Sequence, residues 1–400
     1  MELIVKKFGG SCLADQAAMK NAARIVSETC KSGAKVIAVV SAQGNTTDLL
    51  IRRAAALSDT PSDRELDVIM SAGEQLSAAL LSIAVNEAGA SAISLLGWQA
   101  GIATNGKFGS ARIQNIDLKR IKTELQTHDA VVVAGFQGVD RFGNMTTLGR
   151  GGSDTTAVAV AAAFGASRCE IYSRIDGIYT ADPAVVPEAV KLKEIDYGAM
   201  QELAFLGVKV LNPRAVELAQ KYGVVLEVRS AFSDSAGTII RENAKMEKML
   251  ISGVTKKSET ALIRISGLED SAAAFHMFGL LASAYINVDI ILQSAVTQGN
   301  GEIAFTVEKE NADDAVRLIR ESGICPENAL FCDKNVSKVS VVGVGMESHH
   351  GVAKAIFEAL SKEKINVRLI SSSELRFSVV VQKEDADRTV RAIHRVFINV

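Results

Sequence analysis

The sequence has no CxxC pair, and its five cysteines (Cys12, Cys30, Cys169, Cys325 and Cys332) are odd in number and widely scattered. A disulfide framework and a thiolate zinc site are thereby excluded, no metal-ligating set is read, and a reducing compartment fits best. An excess of charge of one sign is also missing. With 44 basic against 46 acidic residues, the chain offers no electrostatic footprint for nucleic acid or an anionic membrane. Small-molecule partners are expected instead, with no nucleic acid and no membrane. At the N-terminus Leu3-Ile4-Val5 is followed at once by Lys6-Lys7, too short an apolar stretch for an export signal, so the expected location is cytoplasmic. The longest uncharged stretch, Ala88 to Gly106, is interrupted by four glycines and by Ser91, Ser94, Gln99, Thr104 and Asn105, and reads as soluble.

The 400 residues, 48% of them hydrophobic, exceed what one ordinary core takes up and imply two or three domains. Short β-branched runs alternate with alanine-rich segments: Leu3 to Phe8, a helix over Ala14 to Ser32, Val36 to Val40, a helix near Glu65 to Ala88, then Ala130 to Ala134. That alternation predicts an α/β fold with a mostly parallel sheet. Val131-Val132-Val133-Ala134 is apolar on both faces, as a central strand covered by helices must be. Gly135 ends it.

After about residue 240 a charged helical connection is expected over Arg241 to Lys248, and then the sequence repeats. Ile286-Asn287-Val288-Asp289-Ile290-Ile291 returns 79 residues on as Ile365-Asn366-Val367-Arg368-Leu369-Ile370, with Phe278 and Leu281 matched by Phe357 and Leu360. Each copy reads strand, helix, strand, strand, helix, strand, and two such units are expected to pack their sheets side by side. A duplicated structural appendage and a regulatory pair both fit. The loops at Glu269-Asp270-Ser271 and Glu347 to Gly351 favour the second, because helix-start N–H groups can receive a ligand carboxylate.

Chemistry-bearing residues gather where strands end. Lys7-Phe8-Gly9-Gly10-Ser11 places two glycines and a cation where the first strand gives way to the first helix, a setting for a phosphate, although the sequence is not a Walker A loop. Ser41 to Asp48 is a cluster of hydroxyls and amides that suits a small polar ligand or simply caps the next helix. Thr146 to Thr156 is glycine-rich and precedes the alanine-rich helix Ala157 to Ala163. Arg150 there can clamp a carboxylate with both arms of its guanidinium, while Asp154 serves either the site or the helix start as an N-cap. After the strand Cys169 to Tyr172, Tyr179 is placed either to stack on a base or to anchor its own loop.

Lys7 to Gly10, Ser41 to Asp48, Ala72-Gly73-Glu74, Gly135 to Gly138, Thr147 to Asp154, Tyr179 to Pro183 and Lys209-Val210-Leu211-Asn212-Pro213 together resemble, in order and spacing, the aspartate kinase family. The repeats resemble its tandem ACT domains. The resemblance spans essentially the whole chain. It implies a three-layer amino-acid kinase domain over residues 1–240, a linker over 241–254, and two ferredoxin-like ACT domains over 255–325 and 336–400. It further implies Lys7, Asp154 and Lys209 as catalytic residues and Ser41, Thr47, Glu74, Arg150 and Ser153 as the aspartate-binding set. Lys7, Gly9, Gly10, Ser11, Ser173, Arg174, Tyr179, Asp182 and Lys209 become the nucleotide set. Asp270, Asn287, Gln293, Met346, His350, Gly351 and Asn366 become the effector set, with lysine, threonine or both as effectors. ATP and Mg2+ are the implied cofactors, and a homodimer or larger assembly through the ACT domains is the implied state.

The reaction so implied is attack by the aspartate β-carboxylate on the γ-phosphorus of ATP, the first step toward lysine, threonine and methionine. A carboxylate is ionised at neutral pH and needs no strong base. The five histidines all lie outside the kinase motifs, and none is needed for the chemistry. Three departures stand out. Cys12 replaces a hydroxyl residue after Ser11, Arg174 stands where the family has an acid, and Ala184 stands where an arginine is common. At the first repeat, Asp270-Ser271-Ala272-Ala273 lacks the family's proline and glycine, so an altered effector response is expected there. The competing readings are a kinase for another carboxylate, such as glutamate or an N-acylated amino acid, and a catalytically weak amino-acid-sensing subunit.

Overall fold

The computed structural model describes residues 2–208, 210–242, 251–268, 271–294, 301–343, 346 and 351–398. The chain divides into two compact units, one of Met1–Tyr179 with Lys191–Met246, the other of Thr180–Val190 with Glu247–Val400.

The first unit runs β1 (Leu3–Phe8), α1 (Gln16–Lys31), β2 (Lys35–Val40), α2 (Thr46–Ala55), α3 (Asp63–Glu87), β3 (Ala92–Leu95), β4 (Ile102–Thr104), β5 (Ile113–Ile116) and α4 (Lys119–Thr127). It continues β6 (Ala130–Ala134), β7 (Gln137–Val139), β8 (Met145–Thr147), α5 (Gly152–Phe164), β9 (Arg168–Ser173), β10 (Glu194–Ile195), α6 (Tyr197–Phe205), α7 (Pro213–Tyr222), β11 (Leu226–Ser230) and β12 (Thr238–Ile240). Eight strands form one sheet in the order β10-β12-β11-β9-β1-β2-β6-β3, parallel except where β12 meets β11. All five residues of β6 are buried, as its two-faced apolarity predicts. Helices α1 and α3 cover one face, and α5, backed by α7, covers the other. Ten consecutive residues of α5, Gly152 to Ala161, are buried, which explains its lack of a polar stripe.

Strands β1, β2, β6 and β9 finish level with one another, Phe8 beside Val40 and Tyr172, and Val40 beside Ala134. Their carboxyl ends therefore make one edge, the usual place for a ligand in an open α/β sheet. Among the described residues one helix, α3, is long and apolar enough to cross a membrane, but its face carrying Asp67, Ser71 and Glu74 is buried, and it packs on α1, β3 and β6. The uncharged stretch Ala88 to Gly106 is broken into β3, a turn and β4.

In the second unit follow β13 (Ile251–Leu268), α8 (Ser271–Ser283), β14 (Val288–Gln293), β15 (Gly301–Glu308), α9 (Ala312–Ser322), β16 (Leu330–Gly343), α10 (Val352–Lys362), β17 (Leu369–Ser372), β18 (Arg376–Gln382) and α11 (Ala386–Phe397). They make a single six-stranded sheet ordered β14-β15-β13-β16-β18-β17. The repeat is visible in backbone detail. Tyr285 and Lys364, 79 residues apart, both take left-handed conformations, and in each copy the next residue, Ile286 or Ile365, returns its N–H to the preceding helix at Leu281 or Leu360. One expectation needs correction: among the described residues, the strand that closes the second copy beside β16 does not follow α11. The N-terminal part of β13, Ile251 to Lys257, pairs with β16 and supplies that strand. Of the charged connection expected to be helical, only Arg241 and Glu242 are described, and neither is helical.

Candidate active site

At the carboxyl edge of the large sheet lies a pocket of about 320 Å³ lined by Lys7, Ser41, Thr47, Glu74, Ser153 and Asp154, and by the loop Gly149-Arg150-Gly151-Gly152. Every residue of the expected acceptor set thus lines one cavity, although Lys7 and Asp154 come from segments 147 residues apart. Lys7, near the end of β1, pairs with Asp154 in the first turn of α5, Nζ to Oδ1 2.6 Å. The cap of α5 is Gly151, not Asp154, so Asp154 is free to hold the lysine. Its other oxygen accepts the Asn212 N–H at 3.2 Å.

Glu74 extends from α3 into the same pocket. Its Oε1 accepts the Ala42 N–H at 3.0 Å, whereas Oε2 is buried and has no hydrogen-bond partner among the described residues. Burial is the chief reason its carboxyl is pushed up to about 7, against the opposing pull of the Ala42 N–H and the Lys7 charge. A buried anionic oxygen lacking a partner is a receptor for a cationic group. The Arg150 side chain is exposed at the pocket rim, where a carboxylate can take its paired N–H groups.

The Arg150 loop is held from outside. Asn212 Nδ2 donates to Arg150 O at 2.7 Å, and Arg214 Nη1 donates to Leu148 O at 3.2 Å. Gly151 must be glycine: its φ is +71°, and a Cβ would lie 2.2 Å from Asn212 Nδ2. Neither Asn212 nor Arg214 was singled out from sequence for this role. The Asn-Pro pair at 212–213 signals a helix start, and Asn212 does cap α7, but nothing local reveals that its amide spans to residue 150.

The expected phosphate loop differs from its sequence reading. Lys7 to Ser11 does not open α1; a 3-10 turn over Gly10–Cys12 intervenes, and Asp15 caps the start of α1 by accepting the Ala18 N–H. An anion here meets the turn, not a helix end. Gly9 donates to Tyr172 O at 3.1 Å, and a Cβ on Gly10 would sit 2.6 Å from Ala42 O, which is why the strand-end segments can lie so close. Ser11 is half-buried beside it. Cys12 is fully buried, and burial pushes its thiol pKa up, so this departure from the family fills the core and leaves the reacting surface unchanged.

Ser173 ends β9, the neighbour of β1, and Arg174 follows it, exposed. The Tyr179 hydroxyl donates to Asp176 Oδ1 at 2.9 Å, and Lys191 Nζ lies 3.0 Å from Asp176 Oδ2. The loop-anchoring reading of Tyr179 therefore holds for its hydroxyl. Asp182 belongs to the second unit, exposed, with its Oδ1 accepting the Ala184 N–H. Lys209 lies outside the described residues, as do Asp270 and His350 of the effector set.

Of the remaining effector residues, Asn287, Gln293, Gly351 and Asn366 are exposed in the second unit, and Asn287 borders a hollow of about 480 Å³ with Phe278, Tyr285 and Ile291. Met346 is buried in the core against α10 and β18 residues.

A parallel sheet with an acceptor pocket at its carboxyl edge, followed by paired βαββ repeats, defines an amino-acid kinase carrying ACT modules. The chain matches the amino acid kinase family over residues 2–230 and the ACT domain over residues 339–397. It is 43% identical over 400 residues to an aspartokinase of Bacillus sp. (strain MGA3), covering 99% of this chain and 97% of that protein. To an aspartokinase of Pseudomonas aeruginosa it is 43% identical over 403 residues, covering 99% and 98%. Two crystal structures of Escherichia coli aspartokinase III superpose on it. The complex with aspartate and ADP (R-state) gives a TM-score of 0.84 at 25% identity, covering 99% of this chain and all of that one. The complex with lysine and aspartate (T-state) gives 0.79 at 26% identity, with the same coverage. The chain belongs to the aspartokinase family.

Proposed function

We infer that this protein transfers the γ-phosphoryl group of ATP to the β-carboxylate of L-aspartate and is feedback-regulated through its ACT modules. The observation that carries the acceptor is the unpartnered, buried Glu74 Oε2 in one pocket with Arg150 and the Lys7–Asp154 pair. Glu74 takes the α-ammonium, Arg150 the α-carboxylate, and Thr47, Ser41 and Ser153 donate hydroxyl hydrogen bonds. The β-carboxylate is left facing Lys7. Its oxygen forms a bond to the γ-phosphorus while the bond from that phosphorus to the β,γ-bridging oxygen breaks, giving an acyl phosphate and ADP. Lys7, oriented by Asp154, neutralises charge on the moving phosphoryl group, and Lys209 is assigned as the second such cation. Positioning and charge neutralisation suffice, since the nucleophile is already ionised.

Gly9, Gly10, Ser11, Ser173, Arg174 and Tyr179, with Lys7 and Lys209, make up the nucleotide set. Arg174 reaches the phosphates in place of the arginine absent at Ala184; an Arg174→Ala variant with an unchanged KM for ATP removes it from the set. Among the described residues no three carboxylate, imidazole or thiolate side chains gather as a metal site. Magnesium would be carried on the nucleotide phosphates and would supply charge neutralisation there, with Asp154 the pocket carboxylate that would hold it. The effector is lysine, threonine or both, the assembly a homodimer or larger through the ACT modules, and the location cytoplasmic.

A hydroxamate assay with aspartate, glutamate and N-acetylglutamate tests the reading. Aspartate is expected to turn over efficiently and N-acetylglutamate not to, because N-acylation removes the cation that Glu74 requires. Addition of lysine or threonine is expected to inhibit. Equal turnover of N-acetylglutamate would overturn the assignment of Glu74, and no turnover of any of the three would leave the chain as a sensing subunit.

A further inference from the structure

Asp67 lies on α3 two turns before Glu74, fully buried, and does not itself line the pocket. A carboxylate in such a place is costly unless it is surrounded by donors. Four hydrogen bonds converge on it. The Gly109 N–H is 3.0 Å from both Oδ1 and Oδ2, the Thr147 N–H donates to Oδ2 at 2.8 Å, and the Thr147 hydroxyl donates to Oδ1 at 2.5 Å. Both partners line the pocket, Gly109 from the loop between β4 and β5 and Thr147 from the end of β8, where the Arg150 loop begins. Those loops are further tied to each other, Ala111 N–H to Thr147 O at 2.8 Å, and both are gripped by Arg214 Nη1 at Ala111 O and Leu148 O.

We propose that Asp67 is a positioning residue for the aspartate site. It fixes Thr147, and with it the start of the Leu148-Gly149-Arg150 loop, relative to Glu74. Asp67 and Glu74 are carried by one rigid helix, seven residues and therefore about 10 Å apart along its axis. The helix thus acts as a ruler between the carboxylate that receives the substrate ammonium and the loop that presents the guanidinium to the substrate carboxylate. Asn212 holds the far end of the same loop at Arg150 O. This inference rests on the reading of the pocket as the aspartate site.

All groups that approach Asp67 are donors, so the side chain must be an acceptor at both oxygens. Asparagine keeps the shape but turns an NH2 toward an N–H, leaving donors unsatisfied. Asp67→Asn is expected to raise KM for aspartate roughly tenfold or more and to lower kcat, with KM for ATP changed by less than about twofold. A side chain that merely supports the fold would lower the melting temperature and the active fraction and leave KM for aspartate unmoved; that result overturns the proposal.

Thr147→Val, which removes only the hydroxyl, provides a second route should Asp67→Asn fold poorly. It is expected to raise KM for aspartate in the same direction, less strongly, and an unchanged value counts against the proposal. In the double variant the two effects are expected to fall short of additive, because they act through one contact; strict additivity overturns it. Arg150→Ala separates the two levels of inference. If it leaves KM for aspartate unchanged, the assignment of the pocket fails and this inference with it. If it raises KM while Asp67→Asn does not, the positioning role alone is refuted.

Discussion

Glu74 sets the pH behaviour of the site. Its carboxyl is raised from 4.5 to about 7, mainly by burial, so in the folded, ligand-free protein it binds a proton that the unfolded chain has already released. The sign follows directly. Between these two values the folded state holds more protons than the unfolded, so stability falls as pH rises, by up to about 3 kcal/mol. Glu74→Gln is therefore expected to melt higher than the parent at pH 8, with the difference shrinking toward pH 5, as read by thermal melts of ligand-free protein. Binding works in the opposite direction. Only the ionised carboxylate pairs with the substrate ammonium, so KM for aspartate is expected to rise as pH falls below about 7. In Glu74→Gln it is expected to be roughly ten- to hundredfold higher and flat across that range. A parent KM that does not change between pH 6 and 8 would refute the assignment.

At the scale of elements, local pattern and long-range tether behave differently. The strands Leu3–Phe8 and Ala130–Ala134 and the helices α1, α3 and α5 were legible because hydrophobic period and glycine punctuation act over a few residues. The residues of the acceptor pocket were reached through resemblance, but what holds them was not. Asp67 to Thr147, Asn212 to Arg150 and Arg214 to Leu148 join segments that leave no mark on one another's sequence. The segment Thr180–Val190 is a further case. It follows Tyr179 and reads as loop, yet Ala181 and Val186 are buried in the core of the second unit, and Thr180 O accepts the Val254 N–H at 2.7 Å. The Thr180 hydroxyl accepts the Val190 N–H and lies 2.9 Å from His394 Nε2 on α11. Burial holds the His394 pKa below 6.5, with Glu188 opposing, so the folded state binds fewer protons than the unfolded chain. Its contribution is full above that value and is lost as pH falls through and below it. Melting temperature is accordingly expected to drop on acidification toward pH 5 by more in the parent than in His394→Gln. Thr180→Val is expected to cost about 1 kcal/mol at neutral pH.

For the second unit as a whole, two sequence repeats do not make two independent domains. Thr260 to Leu268 of β13 pairs with β15 inside the first repeat, while Ile251 to Lys257 of the same strand borders the second repeat through β16. Strand β16 reciprocates: Leu330 to Asp333 pairs with the first repeat's strand, and Val336 to Val342 pairs with β18. Each repeat therefore borrows its last strand from the segment that begins the other, and the sheet is continuous only when both are present. The repeat signal reveals the units but not the exchange, because the borrowed strand carries the same alternating pattern as an owned one. A chain truncated after Asn335 would keep β13 whole but strip the partner from Ile251 to Lys257, exposing an unpaired edge and the apolar residues Ile251 and Val254. Such a chain is expected to aggregate. A fragment that joins residues 180–190 to residues 251–398 through a flexible linker, and so keeps Ala181 and Val186 in the core, is expected to be soluble, to show a single cooperative thermal transition, and to protect amides in β13 and β16 most strongly against hydrogen exchange. Two separate transitions in that fragment, or a well-behaved folded chain ending at 335, would show the repeats to be independent and the shared strands to be incidental.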